Sequence, residues 1–319
     1  MVRLREGDVA AVFGGAGYIG RNVVARLARL GLHVRVAGRD PERAAALKPK
    51  GHIGQIVPLW APVSNAAAVA RVCDGASVVV NLTGILSEGG KGDFIRVMDE
   101  GAGNVAKAAA AAGAEALVHF SAIGASAESP SAYARAKAAG EAAVRAAFPQ
   151  ATILRPSVVF GPDDRFLTRF AALARLSPVL PLISGDTKLQ PVFVGDVADA
   201  VMAVLQRPEA AGQTFELGGP EVLTFRAVLE RILEMTGRDR RLCPVAGALV
   251  KMAAPLAELI PGKPLTRDQL ILLSLDNVVT EGALGLRSLG IAPTSIGEIM
   301  TAPLARFRVP GEGVKTSNA

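Results

Sequence analysis

Between an apolar run and a helical one the chain carries Gly14-Gly15-Ala16-Gly17-Tyr18-Ile19-Gly20. Few local patterns restrict a fold more. Val9–Gly14 reads as a buried strand, and Tyr18–Leu30 as a helix with apolar residues at Ile19, Val23, Leu27 and Leu30. A strand that breaks into glycines and resumes as a helix makes a tight turn with the helix N-terminus aimed across it, an arrangement suited to a pyrophosphate. The first glycine permits the turn, the second lets backbone approach the phosphates, and the third lets helix and strand pack closely. Gly14-x-x-Gly17-x-x-Gly20 and Gly15-x-Gly17-x-x-Gly20 both fit, so spacing leaves the register open.

The segments that follow keep alternating. Strands are expected at His33–Gly38, Ile53–Leu59, Val78–Leu82, Leu117–Ser121 and Thr152–Leu154, with helices at Glu100–Ala112 and Tyr133–Ala147. This order predicts an α/β fold, a Rossmann-type doubly wound parallel sheet. Past residue 160 the pattern loosens. Helices are expected at Phe166–Leu176 and Asp196–Leu205, a short strand at Thr214–Leu217, and an amphipathic helix at Thr224–Thr236 between an N-cap threonine and Gly237. The implied organisation is a nucleotide-binding core over residues 1–160. Residues 161–310 hold the remaining sheet elements and a smaller mixed C-terminal lobe over the cofactor cleft, and 311–319 form a flexible tail.

Bulk properties exclude some functions. With 319 residues, half of them hydrophobic, the chain can bury a sizeable core. Its net charge of +6 favours anionic partners, but no Lys/Arg run marks a nucleic-acid surface. His33, His52 and His119 form no cluster, so no metal site is expected. Cys73 and Cys243 lie far apart, as fits buried thiols in a reducing compartment. The first residues lead straight into a strand with no room for a signal segment, and Val245–Ile260 is interrupted by Lys251, Pro255 and Glu258. A soluble or peripheral protein made without export is therefore expected.

Two places carry chemistry. After the second strand, Gly38-Arg39 stands where an acid would hold the ribose of NAD, and Asp40 comes a step late. A glycine leaves room for a 2′-phosphate and Arg39 can pair with it, with Arg43 adding a second contact from the next helix, so NADP(H) is favoured over NAD. Arg39 as a plain solvated loop residue is the alternative. Then comes Tyr133-x-x-x-Lys137, which places phenol and ammonium one helical turn apart. A nearby ammonium favours phenolate, so Tyr133 can exchange a proton with a substrate hydroxyl while Lys137 holds the ribose. The other tyrosine, Tyr18, belongs to the glycine turn.

With Asn81-Leu82-Thr83-Gly84 after the fourth strand and Arg155-Pro156-Ser157 after the sixth, these features resemble the extended short-chain dehydrogenase/reductases over residues 8 to about 235. That resemblance places cofactor contacts on Gly14, Gly17, Tyr18, Ile19 and Gly20, on Leu82, Thr83 and Gly84, and on Ser121, Tyr133, Lys137 and Pro156. A narrower match runs through both lobes. "KPKGHIGQIVPLW", "YARAKAAGEAAVRAAFPQATILRPSVVFGPDDRFLTRFA", "LQPVFVGDVADAV" and "TRDQLILL" are similar to the short-chain-dehydrogenase-like accessory subunits of respiratory complex I. It implies a bacterial counterpart, peripheral on the cytoplasmic face of the inner membrane. NADPH would be bound tightly for structure and assembly, among other complex I subunits near the quinone end.

Two departures from the enzyme pattern bear on turnover. In Phe120-Ser121-Ala122-Ile123 the position of the carbonyl-polarising hydroxyl falls on Ala122 or Ile123, leaving Ser121 vestigial unless Ser126, Ser129 or Ser131 substitutes. Leu59-Trp60-Ala61-Pro62-Val63 offers adenine no acid, and Trp60 is expected in the core. Arg238-Asp239-Arg240-Arg241, ahead of the apolar segment, suits an anionic membrane surface, or equally a solvated loop before a helix roofing the cleft. Two functions stay open: a structural, NADPH-retaining complex I subunit, and a free NADPH-dependent oxidoreductase or epimerase acting on a small or apolar substrate.

Overall fold

The computed structural model describes residues 4–164, 166–245 and 266–308. The apolar stretch to Ile260 and the tail 311–319 fall wholly or mostly outside them. The chain divides into two compact units, one of residues 1–156, 194–217 and 280–292, the other of 157–193, 218–279 and 293–319. The segment 161–310 thus contributes residues to both.

The first unit is built on seven parallel strands in the order β3-β2-β1-β4-β5-β6-β11. They are β1 (Val9–Phe13), β2 (His33–Gly38), β3 (Ile56–Trp60), β4 (Val78–Asn81), β5 (Ala116–Phe120), β6 (Thr152–Pro156) and β11 (Thr214–Leu217). Strand order reverses between β1 and β4, where ligands enter parallel sheets of this kind. Both faces are covered, so the strands read as continuous apolar runs, not alternating ones. Ala11 and Phe13 of β1, Val79, Leu117 and Ile153 pack with Val69, Val72, Val105 and Ala109. Those last four come from α3 (Ala66–Cys73) and α4 (Gly101–Ala111). Elsewhere in the unit α1 (Gly20–Arg29) meets α7 (Val194–Gln206) through an Arg26–Asp199 ion pair at 2.6 Å.

Two helices of this unit lie outside the ranges that pattern sets: α3, capped by Asn65, and α2 (Pro41–Ala45), the helix expected to carry Arg43, which is capped by Asp40, whose carboxylate accepts from the Arg43 amide. The edge strand β3 contains Pro58. Gln55 and Ala61 bond to β2, and parallel alternation then turns residues 56, 58 and 60 outward. Proline therefore sits where no ladder donor is needed. The edge also explains a correction. Trp60, expected in the core, is 53% exposed on β3, the edge strand of the sheet among the described residues.

The second unit packs α6 (Leu167–Leu176), α8 (Phe225–Thr236) and α10 (Ile296–Leu304) around Phe160, Leu182, Phe225, Leu229, Ile232 and Met300. Thr224 caps α8 through the Ala227 amide, and Gly237 ends it at φ 62°. The paired strands β8 (Val179–Leu182) and β13 (Arg241–Pro244) and the short helix α9 (Arg267–Leu273) complete it, with two-residue strands. Cys243 on β13 is exposed, correcting the expectation of two buried thiols. Cys73 is buried, and that burial pushes its thiol up to about 12 against the pull of Arg35.

Candidate functional site

The glycine turn opens α1 at the reversal point. Gly14 takes φ +77°, a left-handed conformation that side chains disfavour, and its amide donates to Ala37 O. A Cβ there would stand 3.1 Å from the Leu82 carbonyl, so the turn lies directly against the exit of β4. At Gly20 a Cβ would fall 2.4 Å from Gly14 O. Gly14 and Gly20 are thus the turn and packing glycines, and Gly17, its amide on Gly14 O, lies between them. Gly15 is also required, because a Cβ would come 2.9 Å from Val36. No side chain caps α1 at Ile19 and no acid occupies its first turn, so its positive end is uncompensated. Tyr18 lies beside this end with the Arg21 guanidinium 5.1 Å over its ring.

At the end of β2 the space over Gly38 is open, with nothing within 4 Å of a Cβ built there. Arg39 and Arg43 are exposed, and their side chains have no partner among the described residues. The late acid, Asp40, is committed to capping α2.

On the other side of the reversal α5 (Ala132–Ala147) carries Tyr133 and Lys137. Ser131 caps this helix through the Ala134 amide, and Ser129 accepts from the Ser131 amide. Ser126 accepts from Glu128, so all three candidate substitute hydroxyls serve the loop. Tyr133 packs edge-on against Phe94. Lys137 is buried, donates to Phe120 O at 2.9 Å, and lies 3.2 Å from where a Gly84 Cβ would stand. Its amine is lowered to about 8, mainly by burial and against the attraction of Glu141. Next to it, Ser121 Oγ is buried with no partner among the described residues. The apolar Ile123 is buried at the hydroxyl position, its amide on Pro156 O.

Behind Lys137 lies a network that the sequence reading missed. Glu141, one turn further along α5, takes Arg155 bidentately at 2.8 and 2.7 Å. Arg155 also reaches Glu216 at 3.4 Å, its register partner across β6 and β11, and Glu216 accepts from the Thr280 amide. Asn81 and His119 form a second buried pair. The Thr83 amide bonds Asn81 Oδ1, so Asn81 Nδ2 donates to His119 Nδ1, 3.2 Å away. The proton of the neutral ring is then on Nε2, which has no partner among the described residues. Burial, with Lys137 adding to it, holds His119 down to about 3.

These features fit a dinucleotide: a turn closed to side chains, an uncapped helix start, two exposed guanidiniums that follow an open gap in sequence, and the buried Ser121 Oγ and His119 Nε2 with no partner among the described residues. In the second unit Arg238 and Arg240 each donate to a backbone carbonyl, of Phe307 and Ala174, leaving Arg241 exposed. No helix among the described residues is long and apolar enough to cross a membrane.

Residues 10–218 match the model of the NAD dependent epimerase/dehydratase family. The chain is 31% identical over 310 residues to the mitochondrial NADH dehydrogenase [ubiquinone] 1 alpha subcomplex subunit 9 of Dictyostelium discoideum, covering 96% of this chain and 86% of that one. To its namesake from Arabidopsis thaliana it is 35% identical over 319 residues, with 96% and 79% covered. A ceramide reductase of Caulobacter vibrioides is 35% identical over 201 residues, 63% of this chain and 62% of that one. Among solved structures, an Escherichia coli NADPH-dependent quinone oxidoreductase complexed with NADPH superimposes with a TM-score of 0.74 at 21% identity, covering 92% of this chain and 99% of that one, which is a likeness of fold. The chain belongs to the NAD dependent epimerase/dehydratase family and, within it, to the group that contains the alpha subcomplex subunit 9 proteins of mitochondrial NADH dehydrogenase.

Proposed function

We propose that the chain is an NADP(H)-retaining accessory subunit of a respiratory NADH:quinone oxidoreductase, its nucleotide serving structure and assembly. The observation that carries this reading is a mismatch within one site. The cradle has every glycine it needs, while Ala122 and buried Ile123 stand where a reductase places a carbonyl-polarising hydroxyl. Loss of such a donor costs on the order of a hundredfold or more in rate. The nucleotide would supply hydride chemistry when bound, but this chain's own residues mainly hold it. Gly14, Gly17, Tyr18, Ile19 and Gly20 present the helix start to its phosphates, and Leu82, Thr83 and Gly84 line the β4 exit. Lys137 holds a ribose hydroxyl, with Tyr133, Ser121 and Pro156 around the far end. Arg39 and Arg43 read a 2′-phosphate, which favours NADP over NAD.

The partners in this reading are other complex I subunits near the quinone and membrane end. The chain sits peripherally on the cytoplasmic face of the inner membrane, and the basic residues around Arg241 meet an anionic surface. The test is a tagged pull-down from gently solubilised membranes. Stoichiometric recovery of NADH:quinone oxidoreductase subunits is expected; recovery of the protein alone, from the soluble fraction, overturns the reading. Replacing Arg39 by Ala is expected to weaken NADPH selectively over NADH.

A second reading, a free NADPH-dependent reductase of an apolar substrate, draws on the intact Tyr133/Lys137 pair and on the partial similarity to a ceramide reductase. Tyr133→Phe separates the two. A reductase loses turnover, whereas a structural subunit keeps its nucleotide and its assembly.

A further inference from the structure

We propose that the indole of Trp60 forms one wall of the adenine subsite, stacking on the base of a 2′-phosphorylated adenine nucleotide. The inference rests on the nucleotide reading above and deepens it. Gly38 and Trp60 are register partners on neighbouring parallel strands, so their side-chain positions lie side by side on one face of the sheet. The first position is empty and the second holds the one tryptophan of the chain, 53% exposed. An open gap thus borders an open aromatic face at the carboxyl end of the sheet, where nucleotides bind.

Charge and chemistry agree with the placement. Arg39 directly follows the gap and Arg43 follows in α2, both exposed and with no side-chain partner among the described residues. Two cations beside an aromatic plane suit a phosphate attached to a planar base. After Trp60 come Ala61, Pro62 and Val63, none of which offers a side-chain acceptor to an adenine amino group. Stacking needs no such acceptor, because every base presents a π-face. The indole therefore supplies affinity that a carboxylate would otherwise provide, and Arg39 with Arg43 supplies selectivity for the 2′-phosphate.

The sole tryptophan reports on its own contact. The full-length protein is titrated with adenosine 2′,5′-bisphosphate, which lacks the nicotinamide and so cannot quench by energy transfer to it. Emission and calorimetry are followed in parallel. Emission is expected to fall in step with binding, Trp60→Ala to weaken the bisphosphate about tenfold, and Trp60→Phe to stay within about threefold of the parent. NADPH is expected to follow the same order. Binding by calorimetry with unchanged emission, and equal affinity in Trp60→Ala, overturns the stacking role while leaving the nucleotide reading intact. No binding of either nucleotide by any of the three proteins overturns both.

Discussion

Between pH 7 and pH 5 acid should destabilise this protein through His119. Its ring is 2% exposed, hydrogen-bonded at Nδ1 to a donor, and close enough to Lys137 to feel its charge. Protonation would set a second N–H against the Asn81 amide and bury a cation without a counter-ion. The pKa therefore falls from 6.5 unfolded to about 3 folded. Between those values the unfolded chain binds the extra proton, so stability present above pH 6.5 is lost as pH falls. The whole window is worth about 5 kcal/mol, and the interval from pH 7 to pH 5 about 2 kcal/mol. Urea unfolding at the two pH values measures the drop. His119→Gln keeps an acceptor for Asn81 and does not titrate, while His33 and His52, both at the surface, are common to the two proteins. The parent should lose about 2 kcal/mol more than the variant over this interval. Equal losses refute the argument.

Three further outcomes are expected. Gly20→Ala drives a methyl into Gly14 O and Gly15, costing about 1–3 kcal/mol in thermal unfolding and abolishing NADPH binding in calorimetry. Glu141→Gln removes the carboxylate that Arg155 holds bidentately and leaves the guanidinium only Glu216 at 3.4 Å, so urea unfolding should show a loss of about 2 kcal/mol, the scale of hydrogen bonds to charged groups. Lys137 is charged below about pH 8 and loses its proton above it, so NADPH affinity should fall as pH rises past 8. Lys137→Met should bind more weakly and show none of that dependence.

The parts legible in the sequence are those whose signal is local. The strand–glycine–helix junction is written in adjacent residues, and α8 lies between a capping threonine and a glycine that only has to turn left-handed. The β2 strand, His33–Gly38, reads the same from pattern and structure. Elements whose identity depends on distant pairing were harder. Two-residue strands such as Val159–Phe160 and Val192–Phe193 exist only because they find each other. Asp40-Pro41-Glu42 marks the start of α2, the helix expected to carry Arg43, but five residues are too few for apolar periodicity to set its bounds. Exposure at Trp60 follows from β3 being the last strand, which no window around Trp60 records. The Arg155–Glu216 pairing could have been suspected: each is a charge inside an apolar strand, and a buried charge needs a partner.

The interleaving of the two units has a consequence for synthesis. The strand β11 joins β6 only after Leu217 has emerged, and the first unit takes its last segment from residues 280–292. Until then β6 presents an open edge and Arg155 lacks Glu216. On the ribosome the nucleotide-binding half is therefore an unfinished sheet through most of translation, exposed to the strand-addition hazards that Pro58 blunts at the opposite edge. The first unit is complete only once residues 280–292 have been made.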